Sequence, residues 1–100
     1  MNTRTLQYVV AVADLHHFGK AAECCHVTQP TLSLQIRRME EYLGVQLFER
    51  DAHGAHLTPD GRRLIARIRL VLDQIEQIKR EARREQRDAV ESGAGRISAV

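Results

Sequence analysis

Thr28-Gln29-Pro30-Thr31-Leu32-Ser33-Leu34-Gln35-Ile36-Arg37-Arg38-Met39-Glu40-Glu41-Tyr42-Leu43-Gly44 is the stretch on which the fold class turns. Thr28 is a natural helix N-cap, and Pro30 stands in the first turn, where a missing amide costs nothing. Gly44 ends the helix. At about 100° per residue, Leu32, Ile36, Met39 and Leu43 fall on one stripe that must be buried. The opposite side carries Pro30, Thr31, Leu34, Arg37, Arg38 and Glu41, with Ser33 at its edge. Small hydroxyls, an amide and two arginines are groups that hydrogen-bond base edges and phosphates. A face that only met water would carry Glu and Lys throughout.

Upstream, Phe18 begins a short helix running to about Cys25, with Ala21, Ala22 and Cys25 as its packing side. Paired alanines let another helix approach closely, and His26-Val27 makes a tight turn with Val27 as an apolar plug. Two short helices across such a turn are a helix-turn-helix, in which the second enters a DNA major groove. His17 is a poorer cap than Ser or Asp, so the start of the short helix is expected to be weakly held. Further upstream, Thr3 is the expected cap of a first helix over about 4–15. Its inward stripe is Leu6, Val9, Val10 and Ala13.

Downstream, Val45–Arg50 and Ala55–Thr58 flank the turn signal Asp51-Ala52-His53-Gly54. Two short strands after a recognition helix make a wing, and a hairpin this small is stable only when packed on helices. Leu47, Phe48 and Leu57 are the expected anchors. Thr58-Pro59-Asp60 then opens a helix predicted to reach about Arg87. Leu64, Ile68, Val71, Ile75, Ile78 and Ala82 step by 4, 3, 4, 3 and 4 residues, which is a heptad seam. Ile65 and Leu72 widen it. A 58-residue head is too small to cover such a seam from end to end, so a partner helix is the expected occupant. Ser92-Gly93-Ala94-Gly95 breaks the pattern, and Arg96–Val100 reads as the start of a strand. The expected organisation is a winged helix-turn-helix head at 1–58, a linker and dimerisation helix at 59–90, and a hinge at 91–100 leading into an absent sensing domain. The fold class is mainly α with a small β-hairpin.

Composition bounds the rest. One hundred residues, 43% hydrophobic and 28% charged, suit one soluble domain. No apolar run approaches the roughly 20 residues that span a bilayer, and Met1-Asn2-Thr3-Arg4 has no signal-peptide core. A cytoplasmic location is the default expectation. The net charge of +2 says little about nucleic acid, and residues 1–58 hold five Lys/Arg against six Asp/Glu. The case for DNA therefore rests on where the charges sit. Arg62, Arg63, Arg67 and Arg69 form the densest basic cluster before the tail. Cys24 and Cys25 are adjacent and point about 100° apart on a helix, which strains a disulfide between them. Neither they nor the five histidines show metal-ligand spacing. No metal, cofactor or enzymatic activity is expected.

The chain resembles the DNA-binding domain of LysR-type transcriptional regulators over about residues 3–90. The resemblance is carried by 18–23 (FGKAAE), 27–33 (VTQPTLS), 35–40 (QIRRME), 43–45 (LGV), 47–50 (LFER) and 57–61 (LTPDG). With His17, the first two blocks look most like the peroxide-responsive, OxyR-like branch. The resemblance implies double-stranded promoter DNA as partner, a homodimer through the linker helix, and a full-length tetramer. It implies DNA contacts from Thr28, Gln29, Pro30, Thr31, Ser33, Arg37 and Arg38, with Arg50 and His53 as wing positions near the backbone or minor groove. Leu34 departs from the Arg often found there; it can touch a thymine methyl but cannot donate to guanine. The branch's reactive thiols belong to the sensing domain, so Cys24 and Cys25 do not inherit that role.

Three other readings compete. One is a LysR-type regulator answering a small-molecule effector rather than peroxide. Another is a helical protein-interaction module, which the acidic balance of the head favours and the outward Gln-Pro-Thr-Leu-Ser start opposes. The third, a thiol redox enzyme built on Cys24-Cys25, lacks a paired base or pocket signature.

Overall fold

The chain starts helical one residue earlier than its caps suggest, because Asn2 rather than Thr3 takes the cap. In the computed structural model, which describes residues 1–91 and the side chains of residues 1–84, Asn2 Oδ1 accepts from the Thr5 amide at 2.9 Å and from Thr5 Oγ1 at 3.0 Å. Helix α1 is thus Thr3–Leu15. Its buried stripe is wider than the expected one: Thr5, Tyr8 and Val12 join Leu6, Val9 and Ala13, while Val10 is half-buried. His16 closes α1 in the left-handed region, at φ 55°, with its amide donating to Val12 O.

Helix α2 (Phe18–Cys24) is better secured than its sequence suggests. His17 Nδ1 accepts from the Lys20 amide at 2.9 Å, so an imidazole lone pair does the work of a Ser or Asp oxygen. Ala21 and Ala22 are buried in contact range of α1 and α3. The Val27 amide returns to Ala22 O at 3.0 Å, which tightens the turn. Helix α3 (Gln29–Leu43) then runs from the Thr28 cap to Gly44, which sits at φ 77°. Leu32, Ile36 and Met39 are at most 2% exposed, each worth about 1.5–3 kcal/mol of burial. Leu43 corrects the expected stripe. It shares their azimuth, but it is the last residue of the helix and lies beyond the head's cover, 37% exposed.

The strands are shorter and shifted relative to expectation: β1 is Phe48–Asp51 and β2 is Gly54–Leu57, antiparallel, with Phe48 opposite Leu57 and Asp51 opposite Gly54. Only Ala52 and His53 form the loop. Val45 to Leu47 are excluded from the ladder because their backbone groups are committed elsewhere. The Val45 amide bonds to Glu40 O, and Leu47 O accepts from the Thr58 amide at 2.9 Å. Leu47 and Phe48 are buried as expected, Leu57 is half-buried, and Ala55 at 2% exposure is an anchor the sequence did not single out.

Thr58 starts α4 (Pro59–Glu91), its hydroxyl accepting from the Gly61 amide at 2.9 Å and donating to Gln46 O at 2.6 Å. Gly61 is buried so closely under the Leu47 carbonyl that no Cβ fits there. The helix is 33 residues long, or about 50 Å. Its apolar side splits in two. Ile68 is only 7% exposed within its own protomer, and Leu64, Ile65 and Leu72 pack partly on the head's core. Val71, at 46% exposure, and Ile78, at 64%, stand outside that core, as do Ile75 and Ala82. Projected at about 100° per residue, the mean directions of the two groups lie roughly 65° apart, with Leu64 on their shared edge. Of the expected seam, Ile68 and, in part, Leu64 serve the protomer's own core, while Val71, Ile75, Ile78 and Ala82 are left outside it. The Gly-rich break at 92–95, the strand at 96–100 and most of the 91–100 hinge lie outside the described residues.

Candidate nucleic-acid interface

Burial of Leu32, Ile36 and Met39 against α1 and α2 forces the other flank of α3 outward. Thr28, Gln29, Pro30, Thr31, Leu34, Arg37 and Arg38 are exposed, Leu34 at 41%, and Ser33 is half-buried. The first turn is ordered by its own cap. Thr28 Oγ1 accepts from the Thr31 amide at 3.3 Å and donates to Thr31 Oγ1 at 2.9 Å. Two hydroxyls are thereby aligned at the positive end of a helix, where phosphate oxygens are favoured.

The wing contributes from the side. Arg50 lies on β1, yet its guanidinium turns back toward the helices. It is 3.6 Å from the centre of the Phe18 ring, and its Nη2 donates to Ser33 Oγ at 3.2 Å. Ser33, Arg37 and Arg50 thus line one groove between α3 and β1, with Phe18, Phe48, Glu40 and Glu49. The structure places Arg50 beside the recognition helix rather than at the tip of the wing. His53 is at the tip, exposed, with its amide donating to Asp51 Oδ1 at 2.7 Å.

Among the described residues, the arginines of this surface are not neutralised by neighbouring carboxylates, which is equally true of the head's other two cations, Arg4 and Lys20. Arg37, Arg38 and Arg50 take part in no ion pair among the described residues, whereas Arg63 pairs with Asp60 at 2.6 Å and Arg69 with Asp14 at 2.7 Å. Glu40, the acid nearest Arg37 on the helix, is turned to a structural task. Its Oε2 accepts from the Leu47 amide at 2.7 Å and the Phe48 amide at 3.3 Å. The sequence reading missed this role, and also that of His16, whose carbonyl accepts from the Ala55 amide at 3.0 Å and so ties the wing to α1. Neither partnership leaves a periodicity to betray it: Glu40 reaches past the end of its helix to Leu47 and Phe48, and His16 reaches across to β2. Glu40→Ala is expected to cost about 2 kcal/mol, since two amides lose a charged acceptor. That lowers Tm by roughly 8–16 °C in a thermal melt, with Glu40→Gln costing less because one oxygen remains.

Cys24 is exposed and Cys25 half-buried. Burial pushes the Cys25 thiol up from its ordinary range, and the adjacent Cys24 adds to the shift; a raised pKa leaves less thiolate and a less reactive sulfur. Among the described residues, no three His, Cys, Asp or Glu side chains come together to hold a metal ion. No helix among them is long and apolar enough to cross a membrane.

Residues 3–62 match the family described as bacterial regulatory helix-turn-helix protein, lysR family. The chain belongs to the lysR family. As a LysR-family head it is 46% identical over 82 residues to the DNA-binding transcriptional dual regulator OxyR of Escherichia coli K12, covering 82% of the chain and 27% of that protein. It is 44% identical over 90 residues to the transcriptional regulator AlsR of Bacillus subtilis, covering 86% of the chain and 30% of that protein. Among solved structures, the BenM DNA-binding domain in complex with catB site 1 DNA superposes with a TM-score of 0.82 at 36% identity, over 86% of this chain and 97% of that one. Full-length OxyR C199D of Pseudomonas aeruginosa gives 0.78 at 43% identity, over 83% of this chain and 28% of that one. The chain thus spans little more than a quarter of the length of its full-length relatives. The LysR-type winged helix-turn-helix, followed by a long helix, is the fold that these structures share with it.

Proposed function

We propose that this LysR-family head binds double-stranded promoter DNA as a homodimer, laying α3 of each protomer in successive major grooves and the wing against the backbone or minor groove. The observation that carries the reading is the bare flank of α3, with Leu34 open and Arg37, Arg38 and Arg50 free of ion pairs. Gln29, Thr31 and Leu34 read bases, with Pro30 shaping the first turn. Thr28, Ser33, Arg37 and Arg38 hold phosphates, and Arg50 and His53 meet the backbone from the wing. Residues 1–58 are the DNA-binding head, and 59–90 the dimerisation helix through Val71, Ile75, Ile78 and Ala82. The reading places the protein in the cytoplasm, where promoter DNA is found, gives it no enzymatic activity, and makes the full-length regulator a tetramer. The six relatives at 43–46% identity that are peroxide regulators or OxyR support a peroxide-responsive regulator. AlsR, a transcriptional regulator whose name carries no peroxide response, stands at 44% identity, and a small-molecule effector remains the second reading.

Salt-dependent binding to a mixed-sequence duplex, read by fluorescence anisotropy, tests the proposal. Arg37→Ala is expected to weaken binding to every sequence and to flatten the slope of log K against log salt by about 0.9 per head. Gln29→Ala is expected to cost about 1–3 kcal/mol of discrimination at one base pair. A wild-type chain with no salt-dependent affinity for duplex defeats the DNA reading and favours the protein-interaction module. Arg37→Ala altering preference at one base alone would reassign that residue.

A further inference from the structure

Arg50 is the only Lys or Arg between Phe48 and Leu57, and three elements converge to hold it. Its guanidinium carbon lies 3.6 Å from the centre of the Phe18 ring on α2, a cation over a π face. Its Nη2 reaches Ser33 Oγ on α3 at 3.2 Å. Phe18 is itself fixed, 9% exposed and edge-on to Phe48 of β1, with ring centres 5.8 Å apart and an interplanar angle of 76°. No carboxylate among the described residues is within ion-pair distance of Arg50.

That arrangement does more than fill space. Ring stacking uses one face of the guanidinium and Ser33 uses one of its five donors, so in-plane donors remain for another acceptor. Ser33, accepting from Arg50, keeps its own O–H to give. An unheld arginine surrenders rotamer freedom when it meets a phosphate, whereas here that freedom is already surrendered on folding. Arg37 lines the same groove from α3. We infer that Phe18 is a positioning residue for DNA binding, its ring holding Arg50 beside Ser33 as a pre-set phosphate donor and fixing the wing to the recognition helix. The inference rests on the DNA reading above.

The test is a double-mutant cycle on the 100-residue chain with a mixed-sequence duplex across a salt series. Phe18→Leu keeps an apolar side chain but removes the π face; Phe18→Tyr keeps the face. Phe18→Leu is expected to weaken binding about three- to fivefold and to shallow the salt slope by up to about 0.9 per head. Phe18→Tyr restores both, and the effect of Phe18→Leu disappears in an Arg50→Gln background. An unchanged slope, or an equal loss with and without Arg50, overturns the inference. Should circular dichroism show Phe18→Leu unfolded, the wild type decides by NMR. The Arg50 side-chain protons must show the upfield ring-current shift when free and keep it on adding duplex; their return to unstacked values overturns the inference. A wild-type chain that binds no duplex defeats the DNA reading itself, while a binding wild type indifferent to Phe18 defeats this inference alone.

Discussion

Ile75→Asp is expected to leave the head folded and to turn a dimer into a monomer in sedimentation velocity. Val71, Ile75, Ile78 and Ala82 form a stripe on α4 that lies outside the head's own core. A carboxylate in the middle of a dry helix–helix contact is strongly disfavoured. Two linked heads bind two half-sites with the second event made intramolecular, which multiplies affinity by about 10²–10⁴. Loss of the pairing is therefore expected to weaken binding to a two-site duplex by a factor in that range, and to leave binding to a half-site nearly unchanged. An unchanged sedimentation profile rejects the stripe as the contact. A collapse of the thermal transition instead assigns Ile75 to the protomer core. The matched substitution Ile68→Asp separates the two flanks, because Ile68 is enclosed by its own protomer and is expected to unfold the head.

That division of α4 shows where sequence reading stops. A heptad pattern records which positions are apolar, but not which of two neighbouring flanks each one serves. Ile68 and Ile75 are equivalent in the pattern, and only the contact of α4 with α1 and β2 separates them. Local chemistry decided within one turn was legible at the Thr28 cap, Pro30 and Gly44 around α3 and at Thr58-Pro59 before α4. It was misjudged at Asn2, which caps α1 in place of Thr3, and at His17, which caps α2 well. The outward flank of α3 followed from periodicity alone. Strand limits did not, since Val45 and Leu47 look like good strand residues and are withdrawn only by bonds to Glu40 and Thr58. Arg50 was legible as a wing cation, but its turn toward Ser33 depends on a ring 32 positions away in the chain (50 minus 18). At the interface, what escaped the sequence was the pairing between elements: Arg50 with Phe18 and Ser33, and the Ala55 amide with His16 O.

Gly54→Ala is expected to be the most damaging small change in the head, and Gly44→Ala is its control. Both glycines sit at positive φ, 77° at Gly44 and 117° at Gly54. A Cβ at Gly44 meets open space, so that substitution costs only the backbone penalty, about 1 kcal/mol. At Gly54 the same Cβ overlaps the carbonyl oxygen of His16. That oxygen cannot retreat: it accepts from the Ala55 amide at 3.0 Å, and His16 is held as the left-handed cap of α1 by its own amide on Val12 O at 2.8 Å. Strain and overlap together set the cost near 3 kcal/mol, which lowers Tm by roughly 12–24 °C. Relief comes by lifting β2 from α1, and β1 must follow because Asp51 pairs with Gly54. Arg50 then leaves Phe18 and Ser33, so DNA affinity falls even at temperatures where the helices remain folded. Melting curves and salt-dependent anisotropy on the two variants give the comparison. If Gly54→Ala melts no lower than Gly44→Ala, the wing is not seated on His16, and the placement of Arg50 loses its support.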